Sequence, residues 1–120
     1  MMYNAIISDH FMSPRNIGEI VQPDLAFRIG NPICGDTVHV CATFYENQIK
    51  GIKYKAYGCA ASIATASIFS EFVQGKAIAE LSGMSQTSRR ELLGDLEPNQ
   101  KHCLDILDEL FDSVCTVKEV

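Results

Sequence analysis

The sequence is short of several things, and each shortage closes off a class of protein. It has no CxxC pair, so the close-set ligand spacing of many small zinc modules is missing. No apolar run approaches the length of a membrane span. The N-terminus carries neither the apolar core of a secretory signal nor the arginine-rich pattern of a transit peptide, so a soluble, cytoplasmic protein is expected. Ten Lys and Arg stand against fifteen Asp and Glu, a net charge of −5 that disfavours nucleic acid or an anionic membrane as the main partner. Repeats, low-complexity tracts and linkers are absent, so residues 1–120 read as a single domain.

What is present is an ordinary globular balance, with 47% hydrophobic and 21% charged residues over 120 positions. A chain of this length buries roughly two-thirds of its unfolded surface and needs no disulfide or metal to fold. The five cysteines, at positions 34, 41, 59, 103 and 115, make an odd count that fits no secreted disulfide framework. In a reducing compartment such cysteines serve as ligands, nucleophiles or packing residues rather than bridges.

The hydrophobic pattern predicts an α+β domain, a small three-stranded antiparallel sheet with helices packed on it. Tyr3, Ile6, Ile7, His10 and Phe11 fall on one stripe of a helix that Pro14 ends. Leu25, Phe27 and Ile29 alternate as a short strand. Val38, Val40, Ala42 and Phe44 then alternate with Thr37, His39, Cys41, Thr43 and Tyr45, and a polar turn at Glu46, Asn47 and Gln48 leads into Ile52, Tyr54 and Ala56. The period turns helical from Ala60 to about Gln74, with Gly75 as the stop. Short helical segments are expected at 77–81 and 86–93. A last helix should start near Pro98 or Asn99, with Leu104, Leu107, Leu110 or Phe111, and Val114 on its core stripe.

On this outline three cysteines sit at element junctions. Cys34 lies in the loop Asn31-Pro32-Ile33-Cys34-Gly35-Asp36, Cys59 where a strand hands over to a helix, and Cys103 after His102 at the start of the last helix. Thiolates gain from the positive end of a helix, an advantage clearest at Cys59 and next at Cys103. Three thiolates and one harder ligand, Asp36 or His102, satisfy the four-donor demand of tetrahedral zinc or of a two-iron cluster. Such a set suits a cluster that must leave better than a permanent four-cysteine site does. The gaps of 25 and 44 residues between the cysteines leave scattered buried thiols as the open alternative.

The motifs around these positions resemble the iron–sulfur cluster assembly scaffold family of the IscU and NifU N-terminal-domain type, along nearly the whole chain. The resemblance rests on Tyr3 through Asp9-His10-Phe11 to Pro14-Arg15-Asn16-Ile17-Gly18, on Gly30 to Asp36, on Tyr57-Gly58-Cys59-Ala60-Ala61-Ser62-Ile63-Ala64, and on Lys101-His102-Cys103. It implies an IscU/NifU-like fold and a protein that is not an enzyme in the usual sense. A cysteine desulfurase delivers persulfide sulfur, an iron donor supplies iron, and a transient [2Fe–2S] cluster forms and passes to recipient apo-proteins. Cys34, Cys59 and Cys103 would be cluster ligands, with Cys103 the persulfide acceptor. Asp36 would keep the site labile and His102 would be an alternative ligand. Zinc occupies the same pocket in family members that hold no cluster.

Two departures qualify the resemblance. Members served by a DnaK-type chaperone carry Leu-Pro-Pro-Val-Lys before the His-Cys pair, whereas this chain has Leu96-Glu97-Pro98-Asn99-Gln100, which puts chaperone-assisted transfer in doubt. Ala60-Ala61 replaces the Gly-Ser of many relatives. The zinc-dependent SufU type, which relays sulfur, is the alternative. That branch has an insertion between the second and third cysteines and lacks the histidine before the third, so His102 favours the scaffold branch. A purely structural zinc domain is the third reading.

The remaining candidates are read as structural. His39 and Cys41 share a strand face as a surface pair, Cys115 is a packing or surface thiol, and His10 is a hydrogen-bonded, half-buried histidine. Lys53, Lys55 and Lys101 are either a basic patch for a partner or a solvated face.

Overall fold

In a computed structural model, described over residues 3–31 and 35–116, helix α1 (Ala5–Met12) leads into three strands, β1 (Leu25–Asn31), β2 (Asp36–Tyr45) and β3 (Gln48–Tyr57). Helices α2 (Ala60–Val73), α3 (Ile78–Ser82), α4 (Gln86–Arg90) and α5 (His102–Cys115) follow, with 3-10 turns at Glu91–Leu93 and Pro98–Gln100. The strands form an antiparallel sheet in the order β1-β2-β3. The α+β expectation holds.

The alternation read from the sequence sets the sheet's two faces. Val38, Val40, Ala42, Ile52 and Tyr54 are buried, while His39 and Lys55 are exposed on the other side. The β2–β3 connection has two residues, Glu46 and Asn47, both at positive φ (51° and 63°), as a twist-matched hairpin turn requires. β3 is an edge strand, and neighbouring chain covers both its ends. The amide of Tyr54 donates to the Asn16 carbonyl at 3.0 Å, and the amide of Ile49 to the Lys76 carbonyl at 2.9 Å.

Helix α2 packs between the sheet, α1 and α5 and is buried on nearly every side. Its small residues permit this close approach. Its buried hydroxyls are all engaged: Ser67 receives the amide of Arg15 at 2.9 Å and meets His10 Nδ1 at 2.8 Å, Ser70 takes Asn16 Nδ2 at 3.1 Å, and Thr65 donates to the Ala61 carbonyl. His10 is thus hydrogen-bonded, as expected, and more deeply buried than the half-buried position read from the sequence. Phe69 and Phe111 meet edge to face at 5.2 Å where α2 and α5 cross.

The last helix starts later than the sequence suggested. Pro98–Gln100 forms a separate 3-10 turn closed by a capping box between Glu97 and Gln100, and the α-helix begins at His102. Proline favours the first turn of a helix whether 3-10 or α, so its position alone does not locate the α-helical start. Among the described residues, no helix is long and apolar enough to cross a membrane.

Candidate metal centre

Two fourteen-residue helices begin at the same place. Cys59 is the N-cap of α2, and His102 and Cys103 are the first two residues of α5. Asp36, the first residue of β2, points into the same corner. The ligating atoms of Asp36, Cys59 and His102 lie within 4.8 Å of one another, the one such set of three among the described residues.

Two of the three donor pairs have the spacing of a four-coordinate metal. Cys59 Sγ lies 3.4 Å from His102 Nε2, and His102 Nε2 lies 3.4 Å from Asp36 Oδ2. Tetrahedral zinc, with bonds of about 2.3 Å to sulfur and 2.0–2.1 Å to nitrogen or oxygen, separates such donors by about 3.3–3.6 Å. The N-termini of both helices add positive potential where thiolates would sit.

Asp36 is buried, and both carboxylate oxygens are engaged. Oδ1 accepts the amide of Cys59 at 3.1 Å, and Oδ2 accepts the Ser62 hydroxyl at 2.6 Å. Gly58 makes this approach possible. Its φ is +144°, and a Cβ there would collide with the Asp36 carboxylate.

The described cysteines differ sharply in access. Cys59 is exposed, whereas Cys103 is completely buried beside it. Burial raises the Cys103 thiol above its ordinary range. Cys59 and Asp36 push it further up, and the protons of the nearby Thr65 and Ser62 hydroxyls are already committed to the Ala61 carbonyl and to Asp36. The helix-end advantage expected for Cys103 is therefore outweighed by desolvation.

Asp36, Cys59, His102 and Cys103 are brought to one corner, while Cys34 lies outside the described residues. Cys41 and His39 line a groove on the outer sheet face with Glu19, Lys55 and Tyr57, and no second metal-ligating set of three forms there among the described residues. Cys115 is half-buried against the core. Lys55 is paired with Glu19 at 3.0 Å, which neutralises that part of the basic face.

Sequence reasoning did not single out Ser62 or Gly58. Ser62 meets Cys59 Sγ at 3.1 Å and His102 Nε2 at 3.3 Å as well as Asp36. The available signal was spacing, because a residue three positions after an N-cap lies on the same side of the helix as the cap.

Comparison with known proteins identifies the family. The sequence profile of the family described as NifU-like N-terminal domain matches residues 2–115. The iron-sulfur cluster assembly scaffold protein IscU 1 of Archaeoglobus fulgidus is 38% identical over 105 residues, covering 88% of this chain and 69% of its own. The IscU scaffold protein of Aquifex aeolicus is 34% identical over 106 residues, covering 87% and 68%. Among solved structures, a nitrogen-fixing NifU-like protein (N-terminal) from Brucella abortus superposes with a TM-score of 0.68 at 20% identity, covering 94% of this chain and 89% of that one. A putative SUF-system scaffold from Fervidobacterium islandicum gives 0.65 at 21% identity, covering 94% and 87%. At those identities the two structures speak for the fold.

Proposed function

Because this chain belongs to the NifU-like N-terminal domain family, we propose that it is an iron–sulfur cluster assembly scaffold, building a [2Fe–2S] cluster and passing it to apo-proteins. The observation that carries the reading is the convergence of Asp36, Cys59 and His102 within 4.8 Å, with Cys103 beside them, where two helices begin. The whole chain acts as one scaffold domain in a reducing cytoplasm, binding and releasing its cargo rather than catalysing turnover.

In this reading Cys34, Cys59 and Cys103 supply thiolates, and Asp36 and His102 compete for the remaining position. Oxygen and imidazole hold iron less tightly than a fourth thiolate, which favours release. A cysteine desulfurase supplies the sulfur. The Cys103 thiolate attacks the outer sulfur of the desulfurase persulfide, the S–S bond breaks, and the desulfurase cysteine leaves as a thiolate. Since Cys103 is buried, the first turn of α5 has to move for this step. An iron donor, an electron donor that reduces the persulfide sulfur to sulfide, and recipient apo-proteins complete the partners. Zinc occupies the same donors when no cluster is held. Residues 96–100 lack the chaperone signal, which makes a DnaK-type chaperone a doubtful partner.

The test is anaerobic incubation with a cysteine desulfurase, cysteine and ferrous iron. The expected result is a visible chromophore with acid-labile sulfide that later appears in an apo-ferredoxin. Stimulation of the desulfurase with zinc retained and no chromophore would instead establish a SufU-like sulfur acceptor.

A further inference from the structure

One hydroxyl lies at the centre of the donor set. We propose that Ser62 is a positioning residue of this site, its hydroxyl holding the Asp36 carboxylate in the orientation from which it binds metal. The inference rests on the metal-centre reading above and extends it to a residue outside the ligand set.

Four observations carry it. Ser62 is 1% exposed and Asp36 3% exposed, so water does not compete for their contact. The 2.6 Å separation is that of a hydroxyl donating to a carboxylate. A hydroxyl has one proton, so once it is given to Asp36 Ser62 has none for Cys59 Sγ and His102 Nε2, which lie 3.1 and 3.3 Å away. Its own position is fixed by α2, a helix with ten buried residues among its fourteen.

The effect on Asp36 follows. Its Oδ1 is held by the Cys59 amide and its Oδ2 by Ser62, so the carboxylate plane is set from two sides. Each oxygen keeps a second lone pair for a metal. Without Ser62, the carboxylate would be free to turn about its bond to the Cys59 amide. Partners that orient a ligand in this way are worth about 10–100-fold in metal affinity.

Cobalt(II) tests this without cluster assembly. Metal-stripped protein is titrated anaerobically with Co²⁺ and followed by its thiolate charge-transfer and ligand-field bands. Ser62→Ala should weaken Co²⁺ binding by about 10–100-fold and shift the ligand-field bands, and Ser62→Thr should restore both. In an Asp36→Ala background, Ser62→Ala should change nothing further, because its action runs through Asp36. Thermal melts confirm folding, and Ser62→Val, compared with the Ser62→Thr isostere that keeps the hydroxyl, serves as the second variant if alanine compromises it. Wild-type affinity in Ser62→Ala, or an equal loss with and without Asp36, would overturn the proposal. A wild type that takes up no cobalt would overturn the metal reading itself. Normal cobalt binding without cluster formation would overturn only the scaffold reading.

Discussion

The backbone amide of Cys59 donates to Oδ1 of Asp36 at 3.1 Å, tying the start of α2 to the start of β2 across 23 residues of sequence. This bond brings a soft and a hard candidate ligand together and orients both. The sheet supplies one, the helix the other, and Gly58 lets them approach because it offers no Cβ to the carboxylate.

Gly58→Ala should therefore damage the site and the fold together. A φ of +144° is strained for any residue with a Cβ, by about 1–3 kcal/mol, and the new methyl would also displace Asp36. Denaturant unfolding should show a loss of at least that size, and a cobalt titration a large fall in affinity. Unchanged stability would mean that the turn is not held as described.

His10 predicts a pH dependence. It is buried against Ser67 at 2.8 Å, with Glu71 3.5 Å away and Arg15 and Asp9 nearby. Burial lowers its pKa below 6.5 and Arg15 lowers it further, while Glu71 and Asp9 act in the opposite direction. The unfolded chain then takes up the proton first. The contribution is full above about pH 6.5 and is lost as pH falls through the folded-state value, with a slope of at most about 1.4 kcal/mol per pH unit. Melting temperatures from pH 7.5 to 5 should fall in the wild type and fall less steeply in His10→Gln. Parallel profiles would place the titrating group elsewhere.

Much of this was legible in the sequence, for identifiable reasons. The period-two alternation at 37–45 set the sheet's faces because one face is dry, and Gly75 marked the end of α2 with its φ of +86°. The candidate ligands Asp36, Cys59, His102 and Cys103 could be named because each sits at an element end within a motif. Burial is a property of tertiary packing, so the sequence placed Cys103 at a helix start without showing that α2 would cover it. Ser62 escaped for the same reason: its role depends on Asp36, which is distant in sequence and adjacent in space.

Metal removal should leave the chain folded. The core runs from Ile7 through the sheet and α2 to Val114 and does not depend on the centre. Metal at one hundred times its dissociation constant adds about 2.7 kcal/mol, so chelation should lower the melting temperature while leaving the helical circular-dichroism signal intact. Outright unfolding on chelation would identify a structural zinc domain instead.

The contrast between Cys59 and Cys103 sets an order of reactivity. Cys59 is exposed at the tip of α2, whereas Cys103 is fully buried and its thiol is pushed up by desolvation. Alkylation requires both access and thiolate, and Cys103 is short of each. A brief iodoacetamide pulse on metal-stripped protein, read by peptide mass spectrometry, should modify Cys59 at least about tenfold faster than Cys103, because the buried thiol reacts only through local opening. Added zinc should protect both by drawing them into one ligand set. Equal rates without metal would mean that the first turn of α5 opens freely, and persulfide transfer to Cys103 would then not be limited by that opening.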